Sequence, residues 1–184
     1  MIDNDDAYLV QRAQEGFLDA YEDLVRRHSV TLYRVALRLL GNHHDAQDVT
    51  QEALTAGWQQ LAAFRGRSSF GTWMYRIVTR EALNRIRRGQ GVDSLDVLAA
   101  AEEEPPAARA SRPDQVAQDH AAVDAVTRAV ATLPPAQRIV LVFFHFENLS
   151  YADIAVVTGS TEAAIRSHLF RARRTLAATL TAWR

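Results

Sequence analysis

The sequence predicts an all-α protein built as two small helical domains joined by a flexible linker. Three observations carry that prediction. Apolar residues recur at helical spacing through most of the 184 residues, and strand patterns are nearly absent. The helical pattern lapses over residues 89–114, where Gly89, Gly91, the run Glu102-Glu-Glu-Pro-Pro106 and Pro113 interrupt it. The last third reads as a short helix, a glycine turn and a second, arginine-bearing helix.

The elements follow in order. A first helix is expected over residues 6–27, with Leu9, Ala13, Phe17, Ala20, Tyr21 and Leu24 facing inward. A second is expected over 29–40, with Leu32, Val35, Ala36 and Leu39 inward. Gly41-Asn42 breaks the pattern, and a third helix starts near His44 or Asp45 and runs to Leu61, burying Ala46, Val49, Ala53 and Leu54. A loop over 62–69 leads to a fourth helix over 70–88, with Trp73, Ile77 and Ile86 inward. The linker spans about 89–114, with one short helical turn expected at 95–100. The second domain opens near Asp114 with a helix reaching Thr132; Pro134-Pro135 starts the next, carrying Ile139, Val140, Val142, Phe143 and Phe146. Ser150 then caps a short helix with Tyr151, Ile154 and Ala155 on one face. Gly159 supplies the left-handed turn, Ser160 or Thr161 caps the final helix, and Ile165, Leu169 and Leu176 form its buried stripe. Arg166, Ser167, Arg171 and Arg174 point away from that stripe. A basic second helix after a tight turn is the geometry that enters a DNA major groove.

Composition narrows the function. There is no cysteine, which excludes disulfides, zinc-thiolate sites and cysteine nucleophiles. No 18-residue apolar run exists and the start is acidic, so no membrane span and a cytoplasmic location are expected. Every one of the 21 basic side chains is arginine, a planar fork suited to phosphate or guanine. The net charge of −1 hides a segregation. Residues 61–90 hold one acid, Glu81, against seven arginines: Arg65, Arg67, Arg76, Arg80, Arg85, Arg87 and Arg88. Residues 136–184 hold three acids against six arginines, while 1–60 and 91–135 are acidic. Two basic zones suggest two contacts with a polyanion, and the acidic zones suggest protein partners or self-shielding.

Four phrases occur in a fixed order: Asp45-Ala-Gln-Asp-Val-Thr-Gln-Glu-Ala-Leu54 followed by Trp58; Phe64-Arg-Gly-Arg-Ser-Ser-Phe-Gly-Thr-Trp-Met-Tyr-Arg-Ile77; Leu133-Pro-Pro-Ala-Gln-Arg138; and Leu149-Ser-Tyr-Ala-Asp-Ile-Ala155 with Arg166-Ser-His-Leu-Phe-Arg-Ala-Arg173. Together they resemble a group IV (extracytoplasmic-function) sigma factor of bacterial RNA polymerase. The resemblance covers almost the whole chain, with the linker as its variable part. It implies a sigma-2 domain over residues 1–90, a linker over 91–114 and a sigma-4 domain over 115–184. It also implies a promoter-specificity subunit with no catalysis of its own and no cofactor. The implied partners are the clamp coiled coil and the flap of core polymerase, promoter DNA and an anti-sigma factor.

The resemblance assigns residues as well. Asp45, Asp48, Gln51, Glu52 and Trp58 match core-binding positions. Phe64, Arg65, Arg67, Phe70, Trp73, Arg76, Arg80, Asn84, Arg87 and Arg88 fall in the unit that melts the −10 element, flips a non-template base and tracks the single strand. Spacing with Ile77 favours core packing for Trp73, and Phe64 and Phe70 are similarly ambiguous. Arg80 stands where the family often has asparagine, which leaves the preferred base open. Thr161, Arg166, Ser167, His168, Arg171 and Arg174 fall on the −35 helix, His168 at a position commonly arginine or lysine. The apolar residues Val140, Val142, Phe143, Phe144 and Phe146 read as core.

Two other readings compete. A free-standing helix-turn-helix regulator would leave the basic 64–88 unit and the acidic 45–58 helix unexplained. A metal phosphohydrolase around His43-His44-Asp45 would need a second ligand cluster, which His28, His120, His145 and His168 do not supply. No metal site is expected.

Overall fold

A computed structural model describes residues 3–90, 127 and 129–181. Gly89 and Gln90, expected to open the linker, continue the fourth helix instead; the rest of the expected linker, its helical turn at 95–100 and most of the helix expected from Asp114 lie outside the described residues. The chain divides into two compact units, Met1–Val92 and Asp93–Arg184. All the regular structure among the described residues is helical.

Unit 1 holds four helices, α1 (Asp3–Gln14), α2 (Leu18–Leu40), α3 (His43–Gln60) and α4 (Phe70–Gln90), with a 3₁₀ turn at Leu61–Ala63. Helix α2 packs on α1, α3 and α4, and α3 packs on α4. The core comprises Leu24, Leu32, Val35, Ala36, Val49, Ala53, Met74 and Val78, all shut off from solvent. Each large member contributes roughly 1.5–3 kcal/mol by leaving water.

The first boundary falls elsewhere than the sequence suggests. The break is at Glu15-Gly16-Phe17, and α2 runs unbroken through His28-Ser29. Gly16 sits at φ +97°, the Phe17 N–H donates to Arg12 O at 3.1 Å and the Gly16 N–H to Ala13 O at 3.1 Å. That pair of bonds closes α1 as a Schellman turn, which needs a residue at positive φ. Phe17, expected inward, is exposed, and its ring lies under the Arg12 guanidinium at 3.5 Å.

Side chains then tie α1 to the rest. The buried Asp6 carboxylate accepts Arg27 Nη1 at 3.0 Å and shares a 2.7 Å hydrogen bond with His28 Nε2. Gln14 Nε2 donates to Leu61 O and Phe64 O, both at 2.9 Å, so α1 holds the loop that follows α3. Asn42 caps α3 by accepting the Asp45 N–H at 3.1 Å, so the helix starts at His43, one to two residues before the expected start. Leu54 and Ile86, expected inward, are only half-buried.

Unit 2 holds α5 (Pro135–His145), α6 (Tyr151–Thr158) and α7 (Glu162–Thr181). Helices α5 and α6 both pack on α7. Ile139, Val140, Val142, Phe143, Ile154, Ile165, Leu169 and Ala172 fill the core, whereas Phe144, Phe146 and Leu176 are half-buried. The half-buried Arg138 guanidinium donates to Leu133 O at 2.8 Å and also to Ala131 O, fastening the preceding turn to α5. Burial pushes its pKa down to about 10.

Candidate functional site

Three surfaces bear the residues singled out by sequence. The first is the flank of α3. Gln51, Glu52 and Trp58 are exposed, and Asp45 and Asp48 are half-exposed. The two aspartates are not solvated freely: both accept hydrogen bonds from Arg85 of α4, which raises the Arg85 pKa above its ordinary value. Trp58 packs on Tyr21 with ring centroids 5.0 Å apart. Beneath them Tyr21 Oη donates to Leu54 O at 2.6 Å, and burial pushes its pKa up to about 12.

The second surface is the loop after α3 and the helix it feeds. Ser69 caps α4, its hydroxyl accepting the Thr72 N–H at 3.1 Å. Phe64, Phe70 and Trp73 form one aromatic cluster, with centroids 4.9 Å apart for Phe64–Trp73 and 5.7 Å for Phe70–Trp73. Phe70 is buried, with His28 packed 5.2 Å from its ring, so it is not presented for stacking on a base. Phe64 and Trp73 are half-buried, and Arg65 and Arg67 are exposed. A cavity of about 520 Å³ opens between this loop and α1, lined by Asp6, Gln11, Gln14, Phe64, Arg65 and Ser69 among others.

Along α4, Arg76, Arg80 and Arg88 are exposed and Asn84 and Arg87 half-buried. Arg80 is held: its Nε and Nη2 donate to Glu81 Oε1 at 3.1 and 3.0 Å. Asn84 Nδ2 donates to Glu81 Oε2 at 3.3 Å, and Arg87 Nη2 donates to Asn84 Oδ1. The result is a polar row, Arg80–Glu81–Asn84–Arg87, with the carboxylate at its centre. Glu81 was no candidate by sequence; its place as the lone acid among seven arginines was the available signal.

The third surface is α7 and its approach. Ser150 caps α6 by accepting the Asp153 N–H at 3.1 Å, Gly159 turns at φ +66°, and Thr161 accepts the Ala164 N–H at 3.2 Å. Arg166, Arg171 and Arg174 are exposed and Ser167 is half-buried, accepting Arg171 Nη2 at 3.1 Å. His168 departs from expectation. It is buried, three residues on from Ile165 and four before Ala172, on the core side of α7. Burial and the nearby Arg171 charge lower its pKa. It therefore packs and does not face a phosphate. Phe170, which is not among the residues the sequence singles out, is 67% exposed among the arginines. Its position off the apolar stripe of α7 was the signal. A ladder of rings backs this face: Arg166 lies 5.7 Å from the Tyr151 centroid, Tyr151 stacks on Phe144 at 5.1 Å, and Arg173 lies 5.5 Å from Phe144.

Among the described residues no three His, Asp or Glu side chains gather as for a metal ion, and His43 shares a 2.7 Å hydrogen bond with Tyr33 Oη. Among them, too, no helix is long and apolar enough to cross a membrane.

Residues 24–92 match the family model described as Sigma-70 region 2, and residues 124–176 match Sigma-70, region 4. The chain is 33% identical to the RNA polymerase sigma-H factor of Pseudomonas aeruginosa over 176 residues, covering 93% of this chain and 91% of that one. It is 31% identical to the ECF RNA polymerase sigma-E factor of Escherichia coli, with 93% and 92% covered. Its fold resembles that of CnrH, solved in complex with the cytosolic domain of CnrY, with a TM-score of 0.72 at 24% identity over 97% of this chain and 98% of that one. It also resembles the sigma factor RpoE of Bartonella quintana, solved with the anti-sigma factor NepR, with a TM-score of 0.66 at 23% identity over 89% and 98%. The regular helices, the two units and these relatives agree: the chain belongs to the extracytoplasmic-function sigma factors of the sigma-70 family.

Proposed function

We propose that the chain is the promoter-specificity subunit of a bacterial RNA polymerase and that its surfaces divide the work. It performs no catalysis of its own and needs no cofactor. Residues 1–90 act as the region 2 domain, 91–114 as the tether and 115–184 as the region 4 domain. The α3 flank, with Asp45, Asp48, Gln51, Glu52 and Trp58, docks on the clamp coiled coil. The loop-helix unit opens and holds the −10 strand: Arg65, Arg67, Arg76, Arg80, Arg87 and Arg88 meet phosphates, Asn84 sits among them, and the half-buried rings of Phe64 and Trp73 are available to a base. On α7, Arg166, Ser167, Arg171 and Arg174 face the −35 duplex with Phe170 between them, and Thr161 lies at the helix start where a phosphate binds. The protein works in the cytoplasm, where its polymerase is.

One observation carries the reading: a single chain bears a groove-sized basic helix and, separately, a basic loop-helix unit beside a cavity. A duplex binder needs only the first. Control by an anti-sigma factor belongs to the proposal; one solved relative carries such a partner, and Val156 and Phe170 of this chain are uncovered apolar residues that a partner could occupy. The test is transcription in vitro with core polymerase on a promoter library. Transcripts from a defined subset only when the chain is added are expected. Tight binding of the isolated chain to duplex, with no effect on core polymerase, would favour a free-standing regulator.

A further inference from the structure

The acidic flank of α3 is already occupied. Asp45 and Asp48 stand three residues apart on α3, and Arg85 reaches across from α4 to both. Its Nε donates to Asp45 Oδ1 at 2.8 Å and its Nη2 to Asp48 Oδ2 at 2.5 Å. The guanidinium is a rigid fork, and here each of two prongs is committed to a different carboxylate. The Arg85 side chain is 28% exposed, against 40% and 39% for the two aspartates, so the carboxylates remain within reach of an incoming partner. Glu52 follows Asp48 by one turn and is exposed.

A partner that docks on these carboxylates by charge meets them half neutralised. One guanidinium offsets one of two negative charges and engages one oxygen of each carboxylate. We infer that Arg85 is an internal stand-in for the cation that polymerase supplies: it holds Asp45 and Asp48 in the free chain and is displaced when the flank docks. The inference rests on the reading of this flank as the core-binding face. It makes core affinity a net quantity, reduced by the fraction of molecules in which the flank is occupied by Arg85. An arginine that only buttresses α3 against α4 gives the opposite result, because its loss then loosens the face and weakens docking.

The test titrates the labelled full chain with core polymerase at low and high salt. Arg85→Gln should melt at a lower temperature yet bind core roughly two- to fivefold more tightly at low salt, the scale of an exposed pair. Raising salt should shrink that advantage, since both charge interactions are screened. Equal or weaker binding by folded Arg85→Gln at low salt overturns the inference. If that variant does not fold, as judged by circular dichroism, Arg85→Lys decides. Lysine keeps the charge but replaces the fixed two-pronged fork with one compact, strongly hydrated ammonium, so modestly tighter binding supports the stand-in role and equal or weaker binding overturns it. Glu52→Arg separates the two levels of the argument. Lost core binding by Glu52→Arg keeps the flank as the docking face whatever Arg85 does, whereas unchanged binding by Glu52→Arg overturns the docking face itself.

Discussion

Glu81 should set the charge that α4 shows to DNA. It is the lone acid of residues 61–90, its side chain is 17% exposed, and it takes two donors from Arg80 and one from Asn84. The Arg80 side chain is 51% exposed, so the pair adds little to folding. Its consequence is for polyanion binding: Glu81 cancels the charge that Arg80 would bring to a phosphate. Glu81→Gln keeps an acceptor for Arg80 and removes only the charge. One more cation then becomes available to the single strand, which steepens the log-log salt dependence by about 0.7. Across a fourfold change in salt, from about 50 to 200 mM, that slope change alters affinity by roughly threefold more than in the wild type. Discrimination among bases at the melted position should fall, because Arg80 is no longer drawn to a fixed carboxylate. The assay is anisotropy of the polymerase holoenzyme on a pre-melted −10 bubble over a salt series, repeated with each base at the flipped position. A slope equal to that of wild type refutes the reasoning.

Two predictions concern other faces. A Cβ at Gly57 would stand 2.8 Å from both Met74 Sδ and Tyr21 Oη, so Gly57→Ala should cost about 1–3 kcal/mol in chemical denaturation, with Met74 rather than the Tyr21–Leu54 bond giving way. Arg166→Ala should weaken binding to a −35 duplex by about 1–3 kcal/mol, and Phe170→Ala should weaken it with no loss of thermal stability, since Phe170 is mostly exposed.

The helical architecture was legible because it rests on periodicity and caps, which are local. Ser150 and Gly159 act where the sequence put them, since an N-cap and a left-handed turn are chosen by one or two residues. The α1–α2 boundary was missed because Phe17 falls in phase with Ala13 and Ala20, so the apolar period runs straight through Gly16; a backbone turn overrode it. The family resemblance sets His168 at a position commonly arginine or lysine, although its spacing from Ile165 and Ala172 puts it on the buried stripe. Phe70 is ambiguous in sequence because an aromatic at a helix start serves core and base equally well; only His28 packed against it decides. The ties of Arg85 to Asp45 and Asp48 join residues 40 and 37 positions apart, and no periodicity relates them. The charge pattern showed which surfaces are basic; only the packing of α3 against α4 shows which arginines are already engaged.

Acid should act on unit 2 through His145 and His168. The pKa of His168 is lowered by burial and by Arg171, and that of His145 by partial burial and by Arg173, whose guanidinium lies 3.2 Å from His145 Nε2. A histidine whose folded pKa lies below its unfolded value of about 6.5 binds protons more readily when unfolded. Its contribution to stability is therefore complete above about pH 6.5 and is lost as pH falls from there through the folded value. Both shifts have the same sign and lie in the same unit, so they add. Between about pH 7.5 and 5.5, amide protection factors in α5–α7 should fall, and −35 binding should weaken with them. His168→Gln should flatten this dependence, because a neutral amide replaces a group that takes up a proton on unfolding, and residual dependence should then trace to His145. Protection in α5–α7 that is level over this range, or that rises as pH falls, contradicts the assignment.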